Sequence, residues 1–336
     1  MKLFTSLINT IKEHFRLKLI ICFILCAILP LLILGTISYK ISYNIAKDKI
    51  LKETAISCEK NQHLLENRMT QIENLEDSIH FNLCMLCTTA EQPMSNYLDK
   101  LSAVRNNIAS IADSFNIYHV NIFLPDDSFA SKEGLTFCSL SDLKKYKVQL
   151  SDFSKQGLTP NWIFRKDINF PYMVSKGEEP SGVLSCYRYA KINSQKTCLA
   201  VHITSEELSN YLNTFSEGNP SLSYIINSEG VVLSSTDKKQ IGGSLSNEKL
   251  HAITQNLRLS HFSYDKCEII STPVHNQLFL VTETPDYYIR QSSSFLVKMI
   301  FICFMIIVPL TMLSIIWVAD QMTNKINHLS HSMSEI

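Results

Sequence analysis

Two uncharged apolar runs, residues 19–37 and 299–319, constrain this chain more than any other feature. Each is about twenty residues long, the length at which a helix rising about 1.5 Å per residue matches a hydrocarbon core of roughly 30 Å. Both are expected to cross a membrane as helices, over residues 19–39 and 295–319. The 336 residues are 46% apolar and 18% charged. That balance is too apolar for a disordered chain and too charged for a many-spanning transporter, so the surplus apolarity is local.

The first run follows Lys2, Lys12, Arg16 and Lys18, as a signal peptide would. It is longer than the usual signal core, begins far from Met1, and meets no small-x-small cleavage site before Tyr39 and Lys40, so an uncleaved anchor is expected. Those four bases against the single acid Glu13 hold the N-terminal segment, residues 1–18, in the cytoplasm. Leu3, Phe4, Leu7, Ile8, Ile11 and Phe15 lie at helical spacing there, which suits a short interfacial helix or a plain basic flank. Two spans return the C-terminus to the cytoplasm and leave one large region outside. Lys and Arg balance Asp and Glu at 31 each, so no nucleic-acid footprint is present and nucleic acid is not an expected partner. Outside the spans stand Cys58, Cys84, Cys87, Cys138, Cys186, Cys198 and Cys267. This odd set argues for one or two bridges at most, or for a reducing environment.

Residues 40–115 read as a long helix and a second one. No glycine or proline interrupts residues 40–91, and Ala55, Cys58, Leu65, Met69, Ile72, Ile79, Leu83 and Leu86 form an a/d seam broken by Gln62 and Glu76. Such a seam packs partly on a second copy and partly on its own domain. Pro93 opens the second helix, whose apolar face is Tyr97, Leu101, Val104, Ile108, Ile111 and Phe115. The period then changes to that of strands. Residues 118–124, 182–190 and 197–203 predict one antiparallel sheet within a module over 116–203. A capping box of Thr204 and Glu207 starts a connecting helix over 204–220. Strands at 223–226, 231–234, 261–264, 267–271 and 278–284, with a helix at 248–257, make a smaller module over 221–294. The fold class is therefore α+β: two mixed modules on a long N-terminal helix, flanked by two spans.

This order of parts, the hairpin YIINSEGVVLSS at 224–235 followed by IGGSL at 241–245, and the strand pair GVLSCYRYAKI and TCLAVHI resemble the double Cache, PAS-like sensor ectodomains of bacterial receptors. The resemblance is closest to the N-terminal half of YesM-like sensor histidine kinases and spans essentially the whole chain. It implies a homodimeric transmembrane signal receptor in a bacterial plasma membrane, the sensor portion of a two-component system. A small-molecule pocket in the membrane-distal module, or a protein partner, would supply the signal. Residues 320–336 resemble the start of a HAMP relay helix, with Met322, Ile326 and Leu329 as its apolar positions and Lys325 where such helices usually carry proline. A cognate response regulator is implied only by a kinase core downstream. Related readings are a truncated kinase, a chemotaxis-receptor fragment, and an anchored binding protein without output.

A kinase needs a phosphoacceptor histidine on a dimerisation helix and a nucleotide domain. His328 and His331 lack the adjoining acid, and neither P-loop nor nucleophile motif occurs, so no catalytic residue, cofactor or enzymatic activity is expected of these residues. His80, Cys84 and Cys87 fall on one helix stripe with ligands soft enough for zinc or copper(I), a Cys84–Cys87 bridge, or plain packing. A fourth ligand is missing, and no metal is expected. Trp162, Tyr172, Tyr187 and Arg188 are the candidate ligand-binding residues, as aromatic walls and one anion fork. Strand alternation nevertheless puts Arg188 on the face opposite Tyr187 and Tyr189.

Overall fold

The computed structural model describes residues 15–87, 94–146, 160–166, 180–192, 195–212, 220–255, 258–275 and 278–334. The chain divides into two compact units, one of residues 52–285 and one combining residues 1–51 with 286–336.

The second of these units holds the first part of one long helix, α1 (Phe15–Cys87), and the whole of another, α5 (Asp286–Ser334). Lys298–Val318 of α5 is long and apolar enough to cross a membrane, with a mean hydropathy of 2.8. Its Phe301, Met305, Leu310, Leu313 and Trp317 are exposed, as are Leu29, Leu32, Ile33 and Leu34 of α1. Such apolar surface is suited to lipid. The first turn of α5 is tied to α1 by Tyr43, whose hydroxyl donates to Asp286 Oδ1 at 2.6 Å, while Arg290 Nε donates to Asp286 Oδ2 at 2.9 Å. These two donors hold the Asp286 carboxyl below its ordinary range, Tyr43 being the larger cause. The N-terminal face at Leu3 to Ile11 lies outside the described residues, and so do the side chains of Met322, Ile326 and Leu329, which sit within α5.

In the larger unit, α2 (Met94–Ser114) follows α1 and stops at Asn116, whose φ of 51° is the left-handed conformation that asparagine tolerates. Arg68 of α1 caps it, donating from Nη2 to the Phe115 carbonyl at 2.5 Å and pairing with Glu207 at 3.2 Å. Ten strands then form two five-stranded sheets. The first contains β1 (His119–Leu124), β2 (Phe137–Ser139), β3 (Asn161–Arg165), β4 (Val183–Ile192) and β5 (Gln195–Thr204), in the order β2-β1-β5-β4-β3. It is mixed, not antiparallel as the sequence suggests, because short β2 runs parallel to β1. Both β2 and β3 escape the sequence pattern: one has three residues and the other five, too few to display a period.

The Thr204 hydroxyl accepts from Glu207 N at 3.1 Å and caps a short helix, α3 (Ser205–Ser209), as the capping box predicts. The expected continuation past residue 212 lies outside the described residues. The second sheet contains β6 (Leu222–Ile226), β7 (Val232–Ser235), β8 (Ser260–Tyr264), β9 (Cys267–Val274) and β10 (Leu278–Pro285), ordered β7-β6-β10-β9-β8, with α4 (Asn247–Thr254) beside it. Asn227 closes the β6–β7 turn, its side chain accepting from Glu229 N and Val231 N at 3.1 and 2.8 Å. Gly242, at φ +76°, continues the hairpin by donating to the Val232 carbonyl, and Lys166 lies across it, 2.6 Å from where a Cβ would stand. Two further bonds, Ser205 Oγ to the Leu233 carbonyl at 2.5 Å and Ser234 Oγ to the Ser205 carbonyl at 2.6 Å, tie α3 to β7.

The a/d seam of α1 packs on the chain's own sheets. Cys58, Leu65, Met69, Ile72, Ile79 and Leu83 are all buried within the single chain, so the expected sharing of this seam with a second copy does not hold for them. Both interruptions have a purpose in this packing. Gln62 accepts from Thr272 of β9 at 2.8 Å, and Glu76 meets β4. A polar side chain within a seam costs less when the opposing surface is itself polar. Here that surface carries Thr272, Thr282 and Thr284.

Candidate functional site

Strand alternation gives the first sheet two chemically distinct faces. The face toward α1 carries Trp162, Cys186 and Arg188, with Trp162 directly opposite Cys186. Trp162 Nε1 donates to Glu73 Oε1 at 3.1 Å, and the same oxygen lies 2.8 Å from His275 Nε2 at the end of β9. Arg188 pairs with Asp77 and places Nε 3.4 Å from Glu76 Oε2. Two of the four candidate residues therefore serve contacts with α1. Tyr187 alone points to the other face, and Tyr172 lies outside the described residues. The structure does not gather Trp162, Arg188 and Tyr187 into one site, because residues adjacent on a strand face opposite ways.

On that other face, Tyr187 packs with Phe123, Cys138, Leu143, Cys198 and Ala200, and the half-buried Ile163 and Tyr189 form the rim. Beside this apolar floor runs a row of buried polar groups that the sequence reading missed. His119, His202 and Ser185 are directly opposed across three strands. Ser185 Oγ is 2.7 Å from His202 Nδ1, His202 Nε2 is 3.0 Å from Asn121 Oδ1, and Asn121 Nδ2 is 3.1 Å from His119 Nε2 and 2.7 Å from the Leu135 carbonyl. The bonding pattern fixes the direction of every bond. A carbonyl only accepts, so the Asn121 amide nitrogen must face Leu135 and its oxygen must face His202. His202 Nε2 then carries the proton, Nδ1 accepts, and the Ser185 hydroxyl donates. Burial pushes His202 well below its ordinary value, with neighbouring His119 as a second cause, and burial also lowers His119. Both rings are neutral in neutral solution. Tyr187 meets His202 edge to face at 6.0 Å. The row sets fixed, uncharged polar side chains, bonded to one another, beside an apolar, aromatic floor, a mix of side chains that small-molecule sites share. A signal was available: His119 and Asn121 interrupt an apolar strand on one face, as His202 does within its own.

The equivalent face of the second sheet also carries a buried cluster. Tyr224, Ile226, Val232, Ile253, Ile269, Phe279 and Val281 make its core. Tyr224 and Lys249 both reach Glu283, the lysine at 2.5 Å.

Among the described residues no group of three His, Cys, Asp or Glu is placed to hold a metal ion. Cys84 Sγ stands 3.9 Å from His80 Nδ1, while the Cys87 side chain lies outside the described set. Cys58, Cys84, Cys186 and Cys198 carry thiols not joined in disulfides.

No family model and no curated relative matches the sequence. Solved structures do match. The periplasmic sensory domain of the Campylobacter jejuni chemoreceptor Tlp1 superposes with a TM-score of 0.54 at 14% identity, over 71% of this chain and 98% of that one. The extracellular domain of vpHK1S-Z8, assigned as a histidine kinase, gives 0.54 at 13% identity, over 73% and 98%. At such identity the likeness is one of fold: this chain has the fold of extracytoplasmic sensory domains.

Proposed function

We propose that this chain is a membrane-anchored receptor whose first sheet binds an extracytoplasmic small molecule on the face bearing Tyr187 and the Ser185–His202–Asn121–His119 row. That row carries the reading, since four polar side chains gathered on one sheet face border an apolar, aromatic floor in a sensory fold. The run at residues 19–37 is the first span and Lys298–Val318 the second, with both termini cytoplasmic and the sheets outside a bacterial plasma membrane. Binding shifts the population of two arrangements of α1 and α5. A ligand with roughly 100-fold preference for one arrangement supplies about 2.7 kcal/mol, enough to bias a balanced relay. Residues Met322, Ile326 and Leu329 pass the bias to a HAMP-type output of a two-component system, and the receptor works as a homodimer through a surface other than the buried seam of α1.

The test is a thermal-shift screen of the chain in lipid nanodiscs against amino acids, organic acids, sugars and peptides. A ligand at 100 times its dissociation constant stabilises the folded state by about 2.7 kcal/mol. The expected hit is lost in Ile163→Ala and Tyr189→Ala, which alter only the rim. A hit indifferent to both would refute this location.

A further inference from the structure

Where α1 crosses the first sheet, one arginine faces two carboxyl groups at adjacent positions. Glu76 is wholly buried, Asp77 is 64% exposed, and Arg188 is 16% exposed between them. Arg188 Nη1 is hydrogen-bonded to Asp77, whereas its Nε lies 3.4 Å from Glu76 Oε2 outside hydrogen-bond geometry. Among the described residues neither Glu76 oxygen has a nitrogen or oxygen donor. The buried partner is thus approached but not engaged. We propose that Glu76 and Asp77 compete for Arg188, and that loss of the Glu76 proton to solvent transfers the guanidinium from Asp77 to Glu76, making the contact between α1 and β4 sensitive to pH.

The groups facing Glu76 define this competition. From β4 come Arg188, which favours its ionised form, and the Cys186 thiol, a weak donor that does the same; from α1 come Glu73 and Asp77, which oppose ionisation. On β5, Cys198 feels the same carboxylate. Burial outweighs the arginine and pushes Glu76 up to about 8. Cys186 is raised well above its ordinary value, chiefly by burial, and stays a thiol throughout. An uncharged carboxyl explains why Arg188 turns outward to an exposed partner: a buried carboxylate would instead draw a two-point bond from the guanidinium. Transfer would add a charge-assisted bond on the sheet side of α1 and release one on its outer side, within a turn of Glu73, which holds Trp162 and His275. It is a route of response separate from the ligand face.

The experiment uses the full chain carrying Trp317→Phe, which leaves Trp162 as the single tryptophan of the two in the sequence. Its indole is bonded to Glu73, one turn from Glu76, so its emission reports the contact. The expected result is a single titration with a midpoint near 8. Asp77→Asn removes the competitor and a like charge and lowers the midpoint; Arg188→Gln raises it; Glu76→Gln abolishes the titration. The same titration in Glu76→Gln, no titration in the parent, or an unmoved midpoint in Asp77→Asn overturns the proposal. If Glu76→Gln does not fold, the exposed position 77 decides the matter alone.

Discussion

Asn121 offers the sharpest test of the polar row. It is 2% exposed and His202 is fully buried. Replacing it with alanine strands the His202 Nε2–H with no acceptor, a penalty of about 1–3 kcal/mol, and forfeits two further hydrogen bonds worth about 1 kcal/mol each in net terms. The Leu135 carbonyl is spared the full penalty because the Cys138 thiol also donates to it, at 3.4 Å. The expected loss for Asn121→Ala is therefore about 3–5 kcal/mol, whereas Ser185→Ala, which strands only the Nδ1 lone pair, should cost about 1–3 kcal/mol. The decisive comparison is a double-mutant cycle with His202→Leu. Once the imidazole is gone there is no His202 N–H left to strand, so Asn121→Ala should become cheaper by about 1–3 kcal/mol. Urea unfolding of the micelle-bound chain, followed by Trp162 emission in the Trp317→Phe background, measures all four corners. Additivity within about 0.5 kcal/mol would mean that the two side chains are not coupled as the distances imply.

The two histidines also set an acid limit. Their folded-state values are depressed, so the unfolded chain binds more protons between those values and the ordinary 6.5. Stability should accordingly be full above pH 6.5 and fall as acid is added, no faster than about 1.4 kcal/mol per pH unit for each ring. His202→Leu should flatten that limb in a series of thermal midpoints. Glu76 acts in the opposite direction: its raised value, about 8 against an ordinary 4.5, gives a contribution complete below 4.5 and lost as pH rises through 8. Gly242→Ala forces a side chain into a left-handed φ and against Lys166; it should cost about 1–2 kcal/mol by chemical denaturation, and an unchanged midpoint would contradict the close approach. Asn61 is fully buried, and neither polar atom of its side chain has a partner among the described residues. Asn61→Leu should therefore stabilise the chain by about 1–3 kcal/mol, and a marked loss of stability would reveal a partner for that amide.

Periodicity and composition by themselves determined the two apolar runs, the long helix, the β4–β5 and β6–β7 hairpins and the capped start of α3. Each is specified by residues within a few positions of one another, so local pattern suffices. The a/d seam was equally legible, but its partner was not: a stripe of Leu, Met and Ile states only that something apolar covers it, and the tertiary structure supplies the chain's own two sheets. Strand alternation already separated Arg188 from Tyr187, yet only the fold showed that Glu73, Glu76 and Asp77 wait on the arginine's side, more than a hundred residues earlier in the sequence. The polar row was hidden for the same reason. His119, Asn121, Ser185 and His202 are unremarkable singly and come within hydrogen-bond distance only when β1, β5 and β4 pair in register. Short-range order is encoded in neighbours along the chain, while a site assembled across strands exists only once long-range pairing has brought its members together.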